Sequence, residues 1–461
     1  MGNSTNYNLF ADDDNIVVRR YEQSASSNKN KYFDVDELEV IIDYYLQNGR
    51  SKDSSKAIDL GLKLHPGSTP IQMRRARLYA SLGKYKEALK VIEKVNKIES
   101  ADLEDMLLQG EILTKLSRLD EAEAIFDKLI EMESDIKDQL CLDIAYIFLN
   151  AMLFDHSLKY LELGYKFDPK NIDLLFELAF NYRQQENTEK SIDIYNQIID
   201  IDPYSTEAWF NLGQLYFMTE AYEKAVQAFD FVTAIDEDDS MAWMQKAHAY
   251  FQNENYSKAI EAYKLYLEHT NYKEIPLIYI GECYEKLEQF DEAIDYYKQA
   301  LQFDGTSVDA YTGIAICLLE KENFSESILY IQKAIALKPE ISELWVYLAE
   351  AYVNLDLLDE AFTAYEEALR LDPDQPDTLV AIGNLYLNLE DYAKSLEYLL
   401  KAQAIDKDTD GLSFFLAVNY CKLEQFSNAS YCLEEALLKD PNARELLLEA
   451  CPEITDLLLS S

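Results

Sequence analysis

The side chains able to do acid–base, nucleophilic or metal chemistry are few in this chain, and they are poorly placed to work together. Its four histidines, His65, His156, His248 and His269, lie far apart, and none has the HExxH or CxxC company of a metal site. His248 alone falls on a face of interest, and a single imidazole there reads as a hydrogen-bonded surface histidine rather than a ligand. The six cysteines (Cys141, Cys283, Cys317, Cys421, Cys432, Cys451) show no CxxC and no paired spacing. All sit in apolar helical patterns, where a free Cys behaves as a small hydrophobe, so reduced thiols in a cytoplasmic setting are expected. Carboxylates cluster at Glu366-Glu367, Glu434-Glu435 and Asp236-Glu237-Asp238-Asp239, but these places are helix ends and outward faces, where acids solvate and complement helix dipoles. No GxxxxGK[ST] occurs, and no strand precedes a GxGxxG. No catalytic, cofactor-binding or metal-binding residue is therefore assigned, and an enzyme is not expected.

What could position a binding surface instead is set by composition. Of 461 residues, 48% are hydrophobic, enough to bury a large core, while 13 Gly and 10 Pro are too few for a turn-rich all-β fold. A net charge of −43 opposes attraction to phosphate backbones and to anionic lipid. No apolar run approaches the ~18 residues a membrane helix needs, and no signal-peptide core is seen in the first ten residues. Residues 1–34 are polar and aperiodic and read as a flexible arm with a short ordered piece around Ile16-Val17-Val18.

From Val35 onward the chain repeats itself. Pro169, Pro203, Pro339, Pro373 and Pro441 are spaced by 34 residues or multiples of it, and so are Trp209, Trp243 and Trp345. A third series runs through Tyr182, Tyr216, Tyr250, Tyr284, Tyr352, Tyr386 and Tyr420, and a fourth through Ala225, Ala259, Ala293, Ala361 and Ala429, with Ser191, Ser327 and Ser395 at equivalent places. Each unit holds two apolar patterns at helical spacing, joined by a short polar turn and ended by an acidic or Asp-Pro break. The order Trp-x2-Leu-Gly-x2-Tyr, then Ala-x3-Phe, then Pro, as in Trp209 to Phe229, resembles the tetratricopeptide repeat. The resemblance covers nearly the whole chain. It implies an all-α, right-handed superhelical solenoid of about twelve helix-turn-helix repeats over 35–443, closed by a capping helix and tail at 444–461. The third unit, 103–137, is one residue longer than the rest, and the second helix of the first unit reads about three residues late, around Ala57 to Leu64.

The same resemblance places the second, fifth, ninth, twelfth and thirteenth residues of each unit on a concave groove. In the fourth to seventh units these include Leu142, Tyr146 and Leu149, then Phe176, Phe180 and Arg183, then Phe210, Gln214 and Phe217, then Met244, His248 and Phe251. Acidic residues rim this aromatic strip, among them Asp173, Glu207, Glu282, Glu285 and Glu350. Relatives that clamp a client's terminal carboxylate use Lys and Asn at the fifth and ninth places. Here the ninth places include Glu111, Glu282 and Glu350, so the clamp is absent and a basic or apolar client is expected. The charge is uneven: residues 51–100 carry eleven basic and five acidic residues, a net +6, which leaves −49 elsewhere. Arg74, Arg75 and Arg77 are the densest point and a candidate docking patch for an acidic partner, for nucleic acid, which the charge of the rest of the chain disfavours, or for the acidic middle of a second copy. The expected function is a scaffold or adaptor that holds an extended or helical client segment in its groove. The alternatives are a self-assembling scaffold and a regulatory subunit of a separately encoded enzyme.

Overall fold

A 34-residue period with two apolar stripes per unit has one economical solution, a hairpin of two helices. The computed structural model describes residues 11–27, 32–98, 102–133, 135–439 and 446, and the described residues hold 25 α-helices, α1 to α25 in chain order. After α1 (Ala11–Ser27) they fall into twelve pairs, from α2 (Val35–Gln47) with α3 (Ser51–Leu64) to α24 (Leu412–Lys422) with α25 (Phe426–Lys439). The fold is all-α.

The turn inside each pair keeps the count. In the turn of each pair one residue adopts the left-handed backbone conformation: Gly49, Gly83, Ser117, Met152, Glu186, Glu220, Glu254, Glu288, Glu322, Asp356, Glu390 and Glu424. Successive members are 34 apart except Ser117 to Met152, where the extra residue of the third unit falls. At each turn the next amide reaches back to close the first helix, as Asn187 N–H does to the Tyr182 carbonyl at 2.9 Å. The first pair is in register: α3 starts at Ser51, 34 residues before α5 (Tyr85–Val95). The expected three-residue delay is therefore not found, and Ala57 does not hold the small-residue phase. Its true occupant is Ser54, which is fully buried.

Packing explains the other phases. Ala225, Ala259, Ala293, Ala361 and Ala429 are completely buried where the two helices of a pair meet. At three places where Ser replaces Ala, its hydroxyl donates to a carbonyl of the first helix: Ser191 to Ala179, Ser327 to Ala315 and Ser395 to Gly383, at 2.8, 2.9 and 2.7 Å. In the first and fourth pairs the serines at the same place, Ser54 and Ser157, are also fully buried, but their hydroxyls find no partner among the described residues. The tryptophans fasten the loops between pairs, since the indole N–H groups of Trp209, Trp243 and Trp345 donate to the carbonyls of Pro203, Glu237 and Pro339 at 2.9–3.0 Å.

The chain forms two compact units, Met1–Leu215 and Tyr216–Ser461. In the first, Phe126, Phe148 and Tyr160 are fully buried and meet edge-on or stacked at 5.6–6.0 Å. In the second, Tyr263, Tyr297 and Tyr365 do the equivalent filling. Within each unit, first helices pack on neighbouring first helices. In the first unit, α2 meets α4 (Thr69–Ser81), which meets α6 (Leu103–Lys115), then α8 (Lys137–Leu149), then α10 (Ile172–Gln184). In the second, α16 (Glu274–Lys286), α18 (Val308–Glu320) and α20 (Ser342–Asn354) do the same. Among the described residues no second helix packs comparably on the next second helix, so the first helices make the inner layer of each unit.

The N-terminal segment differs from the flexible arm expected of it. Helix α1 docks on α2: Val18 and Tyr21 are buried, and the Tyr21 ring meets Phe33 at 5.7 Å and Tyr45 at 6.1 Å. Arg20 pairs with Glu37, and Glu22 with Arg50 at 3.2 Å. The ordered piece around Ile16-Val17-Val18 is thus the middle of a 17-residue helix, held because Val18 and Tyr21 lie on one face. The expected capping helix at 444–461 lies outside the described residues, apart from the single exposed residue Leu446.

Candidate protein-interaction surface

The inner layer displays the side chains that the repeat does not need for its own packing. In the first unit, Tyr146 on α8 and Phe180 on α10 are 39% and 40% exposed, large aromatic surface left open to solvent. Phe176 is half-buried, its ring edge-on to Tyr195 at 6.1 Å, and Arg183, Phe210 and Gln214 are half-buried as well. Leu142 does not belong with them. It is 2% exposed, drawn into the core with Leu140 and Ile144, and cannot touch a client. Carboxylates crowd this face. Glu177 accepts a hydrogen bond from Tyr146, and burial together with Asp173 and Glu207 raises its pKa. Burial and Glu177 push the Tyr146 phenol up to about 12.

In the second unit the inner layer starts with Phe217, edge-on to Tyr222 at 5.5 Å, and continues on α14 (Ser240–Gln252) with Met244, His248 and Phe251, all half-buried. His248 Nδ1 lies 2.7 Å from the Tyr263 hydroxyl, and the Tyr279 ring stands edge-on at 4.8 Å. Burial lowers the pKa of that imidazole. Its contacts make it part of an aromatic wall rather than a free ligand.

Beyond Phe251 the same layer opens into a slot of about 430 Å³ lined by residues of α14, α16, α18 and α20. Glu282, Glu285 and Lys286 come from α16, Asp309, Thr312 and Ile316 from α18, and Glu343, Leu344 and Tyr347 from α20. The second helix α17 (Phe290–Phe303) sends one side chain through. Tyr297 is 1% exposed, yet its hydroxyl donates to Glu285 Oε2 at 2.9 Å. Two glycines make that reach possible. A Cβ on Gly281 would stand 2.7 Å from the Tyr297 ring, and one on Gly313 would stand 2.3 Å from it, closer than packed atoms tolerate. Glu282 makes no hydrogen bond or ion pair with the described residues. Burial, reinforced by Glu285 and Asp309 against a smaller pull from Lys286, raises it to about 7. Sequence reasoning named Glu282 and Glu285 only as rim and missed Asp309, Glu343 and Tyr347. The signal was present, since Asp309 and Glu343 both occupy the second place of their units.

The three arginines sit otherwise than a docking patch would. Arg74 holds Asp43 with a forked guanidinium at 2.7–3.0 Å and reaches Glu39 at 3.1 Å. Arg77 pairs with Glu104 at 2.7 Å, and Arg75 donates to the Tyr79 hydroxyl at 3.0 Å. Two of the three therefore bridge neighbouring first helices. The exposed cations of this block are instead its lysines, among them Lys86, Lys90 and Lys94, four apart on the outer helix α5. Five of the cysteines are buried free thiols. Among the described residues no helix is long and apolar enough to cross a membrane, and no three His, Cys, Asp or Glu gather as a metal site.

Stacked helical hairpins with an inner layer of displayed side chains define an α-helical repeat protein. The chain belongs to the tetratricopeptide repeat proteins. One model described as tetratricopeptide repeat matches residues 182–247, another of that description matches 69–102 and 106–136, and the model for the cilia and flagella-associated protein 70 C-terminal domain matches 232–450. No curated protein matches the sequence. Solved structures similar to it include the APC/C hetero-tetramer Cut9-Hcn1, at 15% identity and TM-score 0.40, covering 89% of this chain and 94% of that one. The C-terminal part of a TPR repeat-containing protein from Cytophaga hutchinsonii matches at 16% identity and TM-score 0.44, over 52% and 99% of the two chains. YrrB, a TPR protein with an unusual peptide-binding site, matches at 18% identity and TM-score 0.34, over 41% and 96%.

Proposed function

We propose that this protein is a binding scaffold whose inner helical layer holds a segment of a client protein. Proteins of this family generally mediate protein–protein interactions. The observation that carries the reading is the exposure of Tyr146 and Phe180 on neighbouring first helices, where packing does not require large aromatics. Rigid aromatic surface is what interface hot spots use, and the carboxylates around it favour a client of apolar or basic character. The client would lie across α8 and α10, its apolar side chains against these two rings and its cations near Asp173 and Glu177. Capture from the native host with Tyr146→Ala/Phe180→Ala beside the wild type tests this. Loss of a partner with unchanged circular dichroism is expected, and an unaltered partner set would overturn it. A self-assembling scaffold is the second reading, supported by the lysine row Lys86, Lys90 and Lys94 on an otherwise acidic chain. A monomer at both low and high salt, by light scattering, would remove it.

A further inference from the structure

The slot in the second unit combines features that the aromatic face of the first does not. Its walls are apolar and aromatic: Phe251 from α14, Ile316 from α18, Leu344 and Tyr347 from α20. Its polar lining is one-sided, with Glu282, Glu285, Asp309 and Glu343 set against the single cation Lys286. We infer that this slot receives an arginine or lysine side chain of an extended basic segment of another protein, seated with its aliphatic stem along Ile316 and Leu344 and its charge among the carboxylates.

The chemistry is complementary at each point. A long basic side chain buries its methylenes against apolar surface while its head keeps polar company. A guanidinium is planar, binds a carboxylate through two parallel hydrogen bonds and stacks on a tyrosine face, and the slot offers Tyr347 beside carboxylates from three helices. Glu285 is already oriented by the Tyr297 hydroxyl, so little ordering remains to be done on binding. Glu282 has no hydrogen bond or ion pair with the described residues to give up. An acidic segment would meet four like charges, and a neutral one would leave them buried beneath it without compensation. The groups facing Glu282 are Tyr279, Cys283, Glu285 and Lys286 from its own helix, Tyr263 from α15 (Tyr256–His269), Tyr297 from α17, Asp309 from α18, and Glu343 and Tyr347 across the slot from α20. With its carboxyl raised to about 7 by burial and its acidic neighbours, binding of a cation is expected to tighten between pH 6 and pH 8 as Glu282 ionises.

This inference rests on the reading of the inner layer as a client surface, and the experiment separates the two. The full-length chain is used to select decapeptides from a random display library at pH 8, and the selected peptides are synthesised with fluorescein. Binding is then measured on the wild type, on the slot variants Glu282→Gln/Glu285→Gln and Asp309→Asn/Glu343→Gln, on Tyr146→Ala/Phe180→Ala, and on Asp295→Asn/Glu366→Gln. The last removes the same charge from exposed places on outer helices. Selected peptides are expected to carry Arg or Lys. Their affinity should fall about tenfold or more on both slot variants, and on replacing that residue by norleucine, but less than about twofold on the outer-helix variant. Equal losses on slot and outer-helix variants would reduce the effect to general charge and overturn the inference, as would selection of peptides without basic residues. Peptides that lose affinity only on Tyr146→Ala/Phe180→Ala would sink the slot and leave the aromatic face standing. No selection at all would sink both. A salt-sensitive dimer of the wild type that the slot variants abolish would give the slot to a second copy instead, and overturn it as well.

Discussion

Phe180 and Arg183 on α10 stand three repeats before Glu282 and Glu285 on α16, in the same two places of their units. Behind each pair a buried tyrosine comes from the second helix, Tyr195 in one case and Tyr297 in the other. The surroundings of these two rings are nevertheless opposite in character. Tyr195 meets the edge of Phe176 beneath an open aromatic face, whereas Tyr297 gives its hydroxyl to a carboxylate at the floor of an acidic slot. The lesson is that packing fixes the phases that join helices and leaves the inner-face places free. One scaffold can therefore carry an open aromatic face and an acidic slot a hundred residues apart.

The comparison can be broken most severely at its shared element. Tyr195→Ala and Tyr297→Ala should each cost about 3–5 kcal/mol, as truncation of buried aromatics does. Repeat arrays need not unfold in one step, so native-state hydrogen exchange is the measurement, with protection lost around α10 in one variant and around α16–α18 in the other. Tyr297→Phe should separate the two environments. It removes the donor to Glu285 and should cost about 1 kcal/mol, while Tyr195→Phe, whose ring contact is apolar, should cost less. Comparable losses for the two Phe variants would show that the hydroxyl at Glu285 does not distinguish them.

A second test uses pH. Because the folded carboxyl of Glu282 is raised to about 7, the folded state holds that proton more tightly than the unfolded chain does. The stability this contributes is fully present below the ordinary carboxylate pKa and is lost as pH rises through about 7. Glu282→Gln should therefore stabilise the second unit at pH 8 by up to about 3 kcal/mol and change it little at pH 4. Urea titrations at the two pH values check this, and a benefit at pH 4 equal to that at pH 8 would contradict it.

The smallest effect concerns the turns, which are alike in both regions. Glu254 and Gly83 hold the same left-handed conformation, at φ 56° and 71°. Glu254→Gly should gain, and Gly83→Ala should lose, up to about 1 kcal/mol, because a Cβ is disfavoured there. Thermal melts of the two variants moving the same way would refute that account.

How far the sequence reached is visible in particular residues. The series of Ala225 and its equivalents was read correctly because a helix–helix contact tolerates only a small side chain, and that constraint recurs in every unit. Leu142 was misplaced because burial of a fifth-place side chain depends on how closely neighbouring first helices approach, which no single unit encodes. The charges of Arg74 and Arg77 were counted but not paired, since Asp43 and Glu104 lie 31 residues before and 27 residues after them. Stacking of first helices closes those distances. Helix α1 was underestimated for a related reason: its two anchors, Val18 and Tyr21, give too short an apolar stripe to signal a helix until α2 supplies the surface that buries it.

The sequence by itself determined the period, the twelve hairpins and the all-α class, because close packing between helices must be satisfied afresh every 34 residues. It also marked the places that the packing within a hairpin leaves unfixed. Only the tertiary structure decided what those places became. The ring of Tyr297 passes between Gly281 and Gly313 to reach Glu285, and carboxylates from α16, α18 and α20 converge on one cavity. These outcomes depend on distances between residues of different repeats, which the stacking of hairpins sets.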